Sequence, residues 1–412
     1  MKIKFLLGLL FFVFSTSCNV GIKQKKEEQN NTTPKDSTPA AAKEKFETGA
    51  VIDKIITLAD ASQSYSLYLP KNYDSHKTYA VIFAFDPHGT GKLPVDKYKT
   101  LAEQYNFILI GSNNSKNGLQ FEESKEIAEK LFADAQMRLS VNTARIYLLG
   151  FSGGARVANG LTITNGAIAG VICCGAVSPA ANSQNPRNDY SLISIGGNAD
   201  FNFNEIKKYD LVELAGHNVK HTMLAFSGKH EWPPIETMEN AFWWLELNEM
   251  RRTNTYKNDS LINKKLQPQT KQLKALIAEN KEYEAFQLTK QLITLYDGLA
   301  NINECFDACK KLKESKVVDN AMRNEEMEWA KEEDAKKYYL QGFQRNDIAW
   351  WQREINILNQ KIKKGNNSSE ALMNKRVLDY LSLVAYMQSN GAIKQGALPA
   401  ADYFCKIYVL VD

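Results

Sequence analysis

"ARIYLLGFSGGARVANGLT", residues 144–162, brings an apolar run to an abrupt glycine–serine–glycine turn and then continues in small and amphipathic residues. The "RIYLL" stretch reads as a buried strand, and the residues from Gly153 onward as a helix that starts at once. The string Gly150-Phe151-Ser152-Gly153-Gly154 has the G-x-S-x-G spacing of a nucleophile turn. Spacing alone is a weak signal, because a glycine-rich loop can carry it too; a strand before and a helix after sharpen it. Glycines at 150 and 154 let the backbone bend without side-chain clashes, which lifts the Ser152 hydroxyl clear of the sheet edge. Gly153 offers its N–H at the helix N-terminus, where a developing oxyanion would be stabilised.

Around this turn, strand-like and helix-like segments alternate. "VIDKIITLA" and "YSLYLP" pair as an N-terminal hairpin. "YAVIFAF", "FILIG", "IAGVICCGAV", "YSLISIGG" and "HTMLAFSG" read as further strands. "LPVDKYKTLAEQYN", "EESKEIAEKLFADAQMRLS" and "PPIETMENAFWWLELNEM" read as helices with apolar residues three and four apart. Such alternation implies an α/β domain over 49–250, a largely parallel sheet with helices on both faces.

A serine hydroxyl needs a base, and in this architecture its partners follow in the order Ser, acid, His, on loops at the carboxyl ends of later strands. "YSLISIGG" runs into "NADFNF", which puts Asp200 just past its strand, and "HTMLAFSG" runs into "KHEWPP", which puts His230 just past the next. His217 precedes that strand and His221 begins it, so both fall at the wrong end; His76 lies in a polar turn. Glu205 and Asp210 fall deeper in the segment after Asp200 and read as surface charges. His230 is thus the expected base and Asp200 the group that orients it. The loop "DPHGTGK" after "YAVIFAF" supplies a second oxyanion N–H, from the amide near Gly89 or Thr90. Asp86 and His88 shape that loop.

After Met250 the strand signals stop and charged helical segments dominate. Thr253 to Asp412 reads as an all-α domain of helical hairpins, loosely like a tetratricopeptide-type array without a clean repeat. Within it "TKQLKALIAENKEYEAFQLTKQLITLY" reads as a single helical stretch, and Ser368 or Ser369 as a cap of the helix that follows. Trp350 and Trp351, like Trp243 and Trp244 just before the domain, read as core between helices or domains.

The full chain of 412 residues is too long for one compact core. A formal net charge of +4, with basic and acidic residues interspersed, excludes a nucleic-acid binder. The opening "MKIKFLLGLLFFVFSTSC" has two lysines, an apolar run from Phe5 to Phe14 and then small residues, the layout of an export signal too short to span a bilayer. Ser15-Thr16-Ser17 before Cys18 resembles a bacterial lipobox, although Ser15 stands where Leu is usual. That resemblance implies acylation of Cys18, a membrane anchor and a place in the cell envelope; Asn19 carries no inner-membrane retention signal and points to the outer membrane. Residues 19–48 are almost devoid of apolar side chains and read as a disordered tether. Cys173 and Cys174 read as buried strand neighbours on opposite faces. Cys305 and Cys309 share a helix face without further ligands nearby and read as packing residues, so no metal and no cofactor is expected. Cys405 has no partner that the sequence names.

"DPHGTG", "GFSGGARVA", "GGNAD" and "GKHEWP" resemble α/β-hydrolase esterases, of the polyhydroxybutyrate-depolymerase-like and phospholipase/carboxylesterase types, over roughly residues 50 to 248. The resemblance implies triad roles for Ser152, Asp200 and His230, an oxyanion hole from Gly153 and Thr90, and Trp232 at the pocket mouth. Carboxylesterase-type members often carry Gln after the nucleophile, where this chain has Gly153, and no long lid insertion is present. The expectation is a lipid-anchored serine esterase acting on short acyl esters or acylated polysaccharide. A peptidase of the same fold is one alternative. The other is a scaffold lipoprotein with a vestigial hydrolase domain, whose helices recruit a protein partner.

Overall fold

The computed structural model describes residues 43–180, 187–253, 257–365 and 368–411. The export signal, Cys18 and the tether up to residue 42 lie outside the described residues. Residues 43–48, assigned to the tether on composition, run along the folded part: the Glu44 N–H donates to Arg138 O at 3.0 Å, and the Arg138 guanidinium lies 5.0 Å from the Phe46 ring.

The chain order is β1 (Val51–Ile56), β2 (Ser64–Tyr68), β3 (Tyr79–Phe85), α1 (Lys92–Tyr105), β4 (Ile108–Ser112), α2 (Phe121–Arg138), β5 (Val141–Phe151), α3 (Gly153–Thr164) and β6 (Ile168–Cys174). It continues with β7 (Ser191–Gly197), α4 (Phe203–Lys208) with a π-helical turn over Tyr209–Glu213, β8 (Lys220–Phe226) and α5 (Ile235–Thr253). Seven more helices follow: α6 (Asp259–Ala278), α7 (Glu282–Tyr296), α8 (Asn303–Lys313), α9 (Lys316–Arg345), α10 (Ile348–Gly365), α11 (Ser369–Lys394) and α12 (Leu398–Val411).

The strands form one sheet in the order β1-β2-β4-β3-β5-β6-β7-β8. From β4 through β3 to β8 every pairing is parallel; β2 runs against both of its neighbours. This is the α/β-hydrolase arrangement that the sequence predicts. Its central strands are buried on both faces, which is why they read as continuous apolar runs. In β3, Ala80, Ile82 and Ala84 pack towards α1 and α5, while Val81, Phe83 and Phe85 pack towards α2 and α3. Cys174 and Cys173 divide between the same two faces, and burial pushes both thiols up, out of reach of easy ionisation.

The helical region is joined to this sheet through α5. Ile262 and Leu266 of α6, Phe286, Leu292 and Tyr296 of α7, Cys305 of α8 and Val318 of α9 share one apolar cluster with Trp243 and Trp244. The Trp243 indole N–H donates to Tyr296 Oη at 3.2 Å. Arg251 donates to the carbonyls of Thr294, Leu295 and Asp297 that end α7. A second cluster holds Tyr339 and Phe343 of α9, Trp351 of α10, Leu381 of α11 and Ile407 of α12. Helix α9, with 30 residues and a length of about 45 Å, belongs to both clusters.

Two local details differ from the sequence reading. The stretch expected as a single helical run is two helices, α6 and α7, with Asn280 at φ 57° in the turn between them. At the start of α11, the Ser368 hydroxyl accepts the Ala371 N–H and is the cap, while Ser369 reaches across to Glu328. Trp243→Ala is expected to cost about 3–5 kcal/mol, the usual range for emptying a buried tryptophan site. Urea unfolding followed by circular dichroism measures it; a loss under about 1 kcal/mol would mean that the α5–α7 seam is not part of the core.

Candidate active site

Strand β5 delivers its last residue, Phe151, to the carboxyl edge of the sheet, and α3 begins two residues later. Between them Ser152 has φ 52° and ψ −122°. This conformation is one that an L-residue adopts only under constraint, at about 1–3 kcal/mol. The constraint is visible. The Ser152 N–H is tied to Cys174 O at 2.8 Å, and its carbonyl accepts from Ala155 and Arg156 in the first turn of α3. A Cβ at Gly154 would land on the Phe85 carbonyl oxygen, and one at Gly150 on the backbone of Gly154. Strand, turn and helix are therefore pressed together without room for side chains, and the serine hydroxyl is the group that projects.

His230, on the turn after β8, meets that hydroxyl: its Nε2 is 2.9 Å from Ser152 Oγ. Its Nδ1 is 2.9 Å from both carboxylate oxygens of Asp200, on the turn after β7. Asp200 is fully buried and also accepts the Asn202 N–H at 2.8 Å. The imidazole lies between two aromatic rings, Phe151 at 4.7 Å and Phe201 at 4.3 Å between centroids. The three residues that the sequence singled out are thus brought together, in the hydrogen-bonded order expected of them.

Two of the rejected candidates pair with each other. His221 Nδ1 pairs with Asp210 at 2.8 Å. Glu205 is not a simple surface charge. Burial acts to raise its carboxyl, but the Arg156 guanidinium and the amides of Ser178 and Val177 outweigh this and hold it below the usual carboxylate range. It ties α3, the segment after β6 and α4 together.

The loop after β3 is organised by Asp86, which is almost fully buried. Its Oδ1 accepts the His88 N–H at 2.9 Å and, more distantly, the Thr90 N–H at 3.4 Å, and its carbonyl accepts the Gly89 N–H at 3.1 Å. Thr90, expected to face an oxyanion, thus has its amide turned to the Asp86 carboxylate, because a buried charge collects the nearest donors. Gly153 lies beside Ser152 with its N–H unspent on any described residue. Trp232, expected at the pocket mouth, is only 9% exposed. Its indole N–H donates to Asp86 Oδ2 at 3.1 Å, and its ring packs on Phe151 and Tyr98. It braces the Asp86 loop against the His230 turn.

One neighbour had no sequence signal beyond its place in a polar loop. Asn117, between β4 and α2, donates its N–H to Pro87 O at 2.8 Å, and its carboxamide fills the space that a Cβ at Gly153 would enter.

No protein-family model matches the sequence. No curated protein matches it. Among solved structures, an S-formylglutathione hydrolase from Staphylococcus aureus is 14% identical over 48% of this chain and 98% of its own, at a TM-score of 0.39. Esterase B from Lactobacillus rhamnosis is 15% identical over 50% of this chain and 89% of its own, at 0.41. A hyperthermophilic esterase from Pyrobaculum calidifontis is 14% identical over 50% and 85%, at 0.38.

Ser152→Gly is expected to relieve the turn's strain, worth about 1–3 kcal/mol, against about 0.5–1 kcal/mol for glycine's extra freedom when unfolded. The urea midpoint should therefore rise while any serine-dependent turnover disappears; a lowered midpoint would show that the turn is unstrained. Gly154→Ala should destabilise by about 1–3 kcal/mol, because the added methyl meets backbone rather than a movable side chain. The same titration reads it.

Proposed function

We propose that this chain is a serine hydrolase that cleaves carboxylic esters through an acyl-enzyme on Ser152. The support is the row of contacts from Ser152 Oγ to His230 Nε2, and from His230 Nδ1 to a buried Asp200, each 2.9 Å long. In this reading the Ser152 oxygen attacks the acyl carbon while His230 takes its proton. The negative charge that develops on the acyl oxygen faces the Gly153 N–H at the start of α3. The Thr90 N–H, 3.4 Å from Asp86 Oδ1, turns from that carboxylate to supply the second donor. Collapse of the tetrahedral adduct breaks the bond to the alkoxy oxygen, and His230 returns the proton to the leaving alcohol. Water, deprotonated by the same imidazole, then releases the acid and restores Ser152. Asp200 holds the tautomer with its proton on Nδ1 and stabilises the imidazolium.

The substrates are small acyl esters, including acetyl or feruloyl groups on polysaccharide, and the enzyme works from a lipid anchor at Cys18 in the cell envelope. Without a long inserted lid, the reactive serine stays accessible to such groups on a polymer. Ser152→Ala should abolish p-nitrophenyl acetate hydrolysis and fluorophosphonate labelling together. Asp200→Asn should lower kcat by roughly 10³-fold or more through the wrong imidazole tautomer. Unchanged turnover in the Ser152 variant would end the proposal.

A further inference from the structure

The turn that carries Asp200 spends its amides within the sheet domain. Asn198 N–H goes to Phe226 O and Ala199 N–H to Gly228 O, both at 2.9 Å, and Asp200 N–H goes back to Gly197 O. Two of its carbonyls face the C-terminal helices instead. Arg376 of α11 donates from Nη1 to Asn198 O at 2.8 Å, and Lys336 of α9 donates from Nζ to Phe201 O at 2.9 Å. Those carbonyls bracket Asp200, two residues before it and one after.

Both cations are held by one carboxylate. Glu332 of α9 is fully buried; Arg376 Nε and Nη2 lie 2.8 and 2.7 Å from its Oε2, and Lys336 Nζ lies 2.8 Å from its Oε1. The Arg376 guanidinium also lies 5.5 Å from the ring of Phe203, at the far end of the turn. Burying one anion and two cations is costly, and a seam needed only for cohesion does as well or better with apolar side chains. What an apolar seam cannot do is fix two backbone carbonyls in direction as well as in distance.

We propose that Arg376, Lys336 and Glu332 are positioning residues for Asp200, so that the helical region acts on the chemistry through the turn between β7 and α4. This rests on the reading of Ser152, His230 and Asp200 as the reacting set. With the clamp in place, the carboxylate stays where His230 Nδ1 meets both of its oxygens. Without it the turn relaxes, and misplacement of a catalytic group by about 1 Å costs as much as 10²-fold in rate.

The test uses the full-length chain with p-nitrophenyl acetate. Arg376→Lys keeps the charge opposite Glu332 but loses the fork that reaches Glu332 and Asn198 O at once. Lys336→Met removes the second grip and leaves Glu332 paired with Arg376. Each is made in the wild type and in an Asp200→Asn background. In the wild type, kcat should fall about tenfold with KM within about twofold; in the Asp200→Asn background, neither substitution should lower kcat further. A folded variant with unchanged kcat overturns the proposal, and so does an equal loss in both backgrounds, which is the mark of a structural role. Should Arg376→Lys fail to fold, Lys336→Met decides alone. Failure of the underlying reading looks different: there Ser152→Ala would leave wild-type turnover intact.

Discussion

The backbone at Ser152 is held in a conformation that its own side chain disfavours, and much of the surrounding structure keeps it there. The extended end of β5 cannot relax because its neighbour β6 grips the serine amide. The first turn of α3 cannot back away because Gly154 is seated against the carbonyl of Phe85 on β3. Relief is denied on both sides, and the strain is borne by a sheet whose central strands are buried on both faces. A site on a looser loop would place the hydroxyl less accurately; this one inherits its accuracy from the core.

Charge is managed around that turn by separate anchors. Asp86 gathers the amides of the loop after β3 and the indole of Trp232. Glu205 gathers Arg156 and two amides of the segment after β6. Glu332, contributed by the helical region, gathers the two cations that reach the Asp200 turn. Asp86 and Glu332 are almost fully buried and Glu205 is partly buried; each draws several donors or cations, and each fixes a different loop at the carboxyl edge of the sheet. Among the described residues, the Asp200 carboxylate meets only His230 and the Asn202 amide.

Much of this was legible in the chain. Continuous apolar runs between amphipathic segments carry the parallel sheet in their pattern, because strands buried on both faces have no polar side to show. The positions of Ser152, Asp200 and His230 follow from counting strands, since each lies just past the end of one. Other features were not legible, for physical reasons. Trp232 sits two residues from His230, but adjacency along a chain says nothing of depth, and its indole turned inward to Asp86. The turn at Asn280 depends on a left-handed residue inside an otherwise helical pattern, a choice that propensity leaves open. Lys336 and Arg376 look like solvated charges in a charged helical stretch. Only the packing of α9 and α11 against the sheet domain reveals that Arg376 is buried, Lys336 partly so, and that both reach backbone carbonyls.

The clamp on the Asp200 turn has a consequence in time. Arg376 is 178 residues beyond Asn198, and Lys336 is 135 beyond Phe201. A growing polypeptide completes its sheet strands well before α9 and α11 exist. Loops closed over such separations form late and slowly. The contacts that tie the Asp200 turn to α9 and α11 therefore close after the sheet to which that turn belongs has been made.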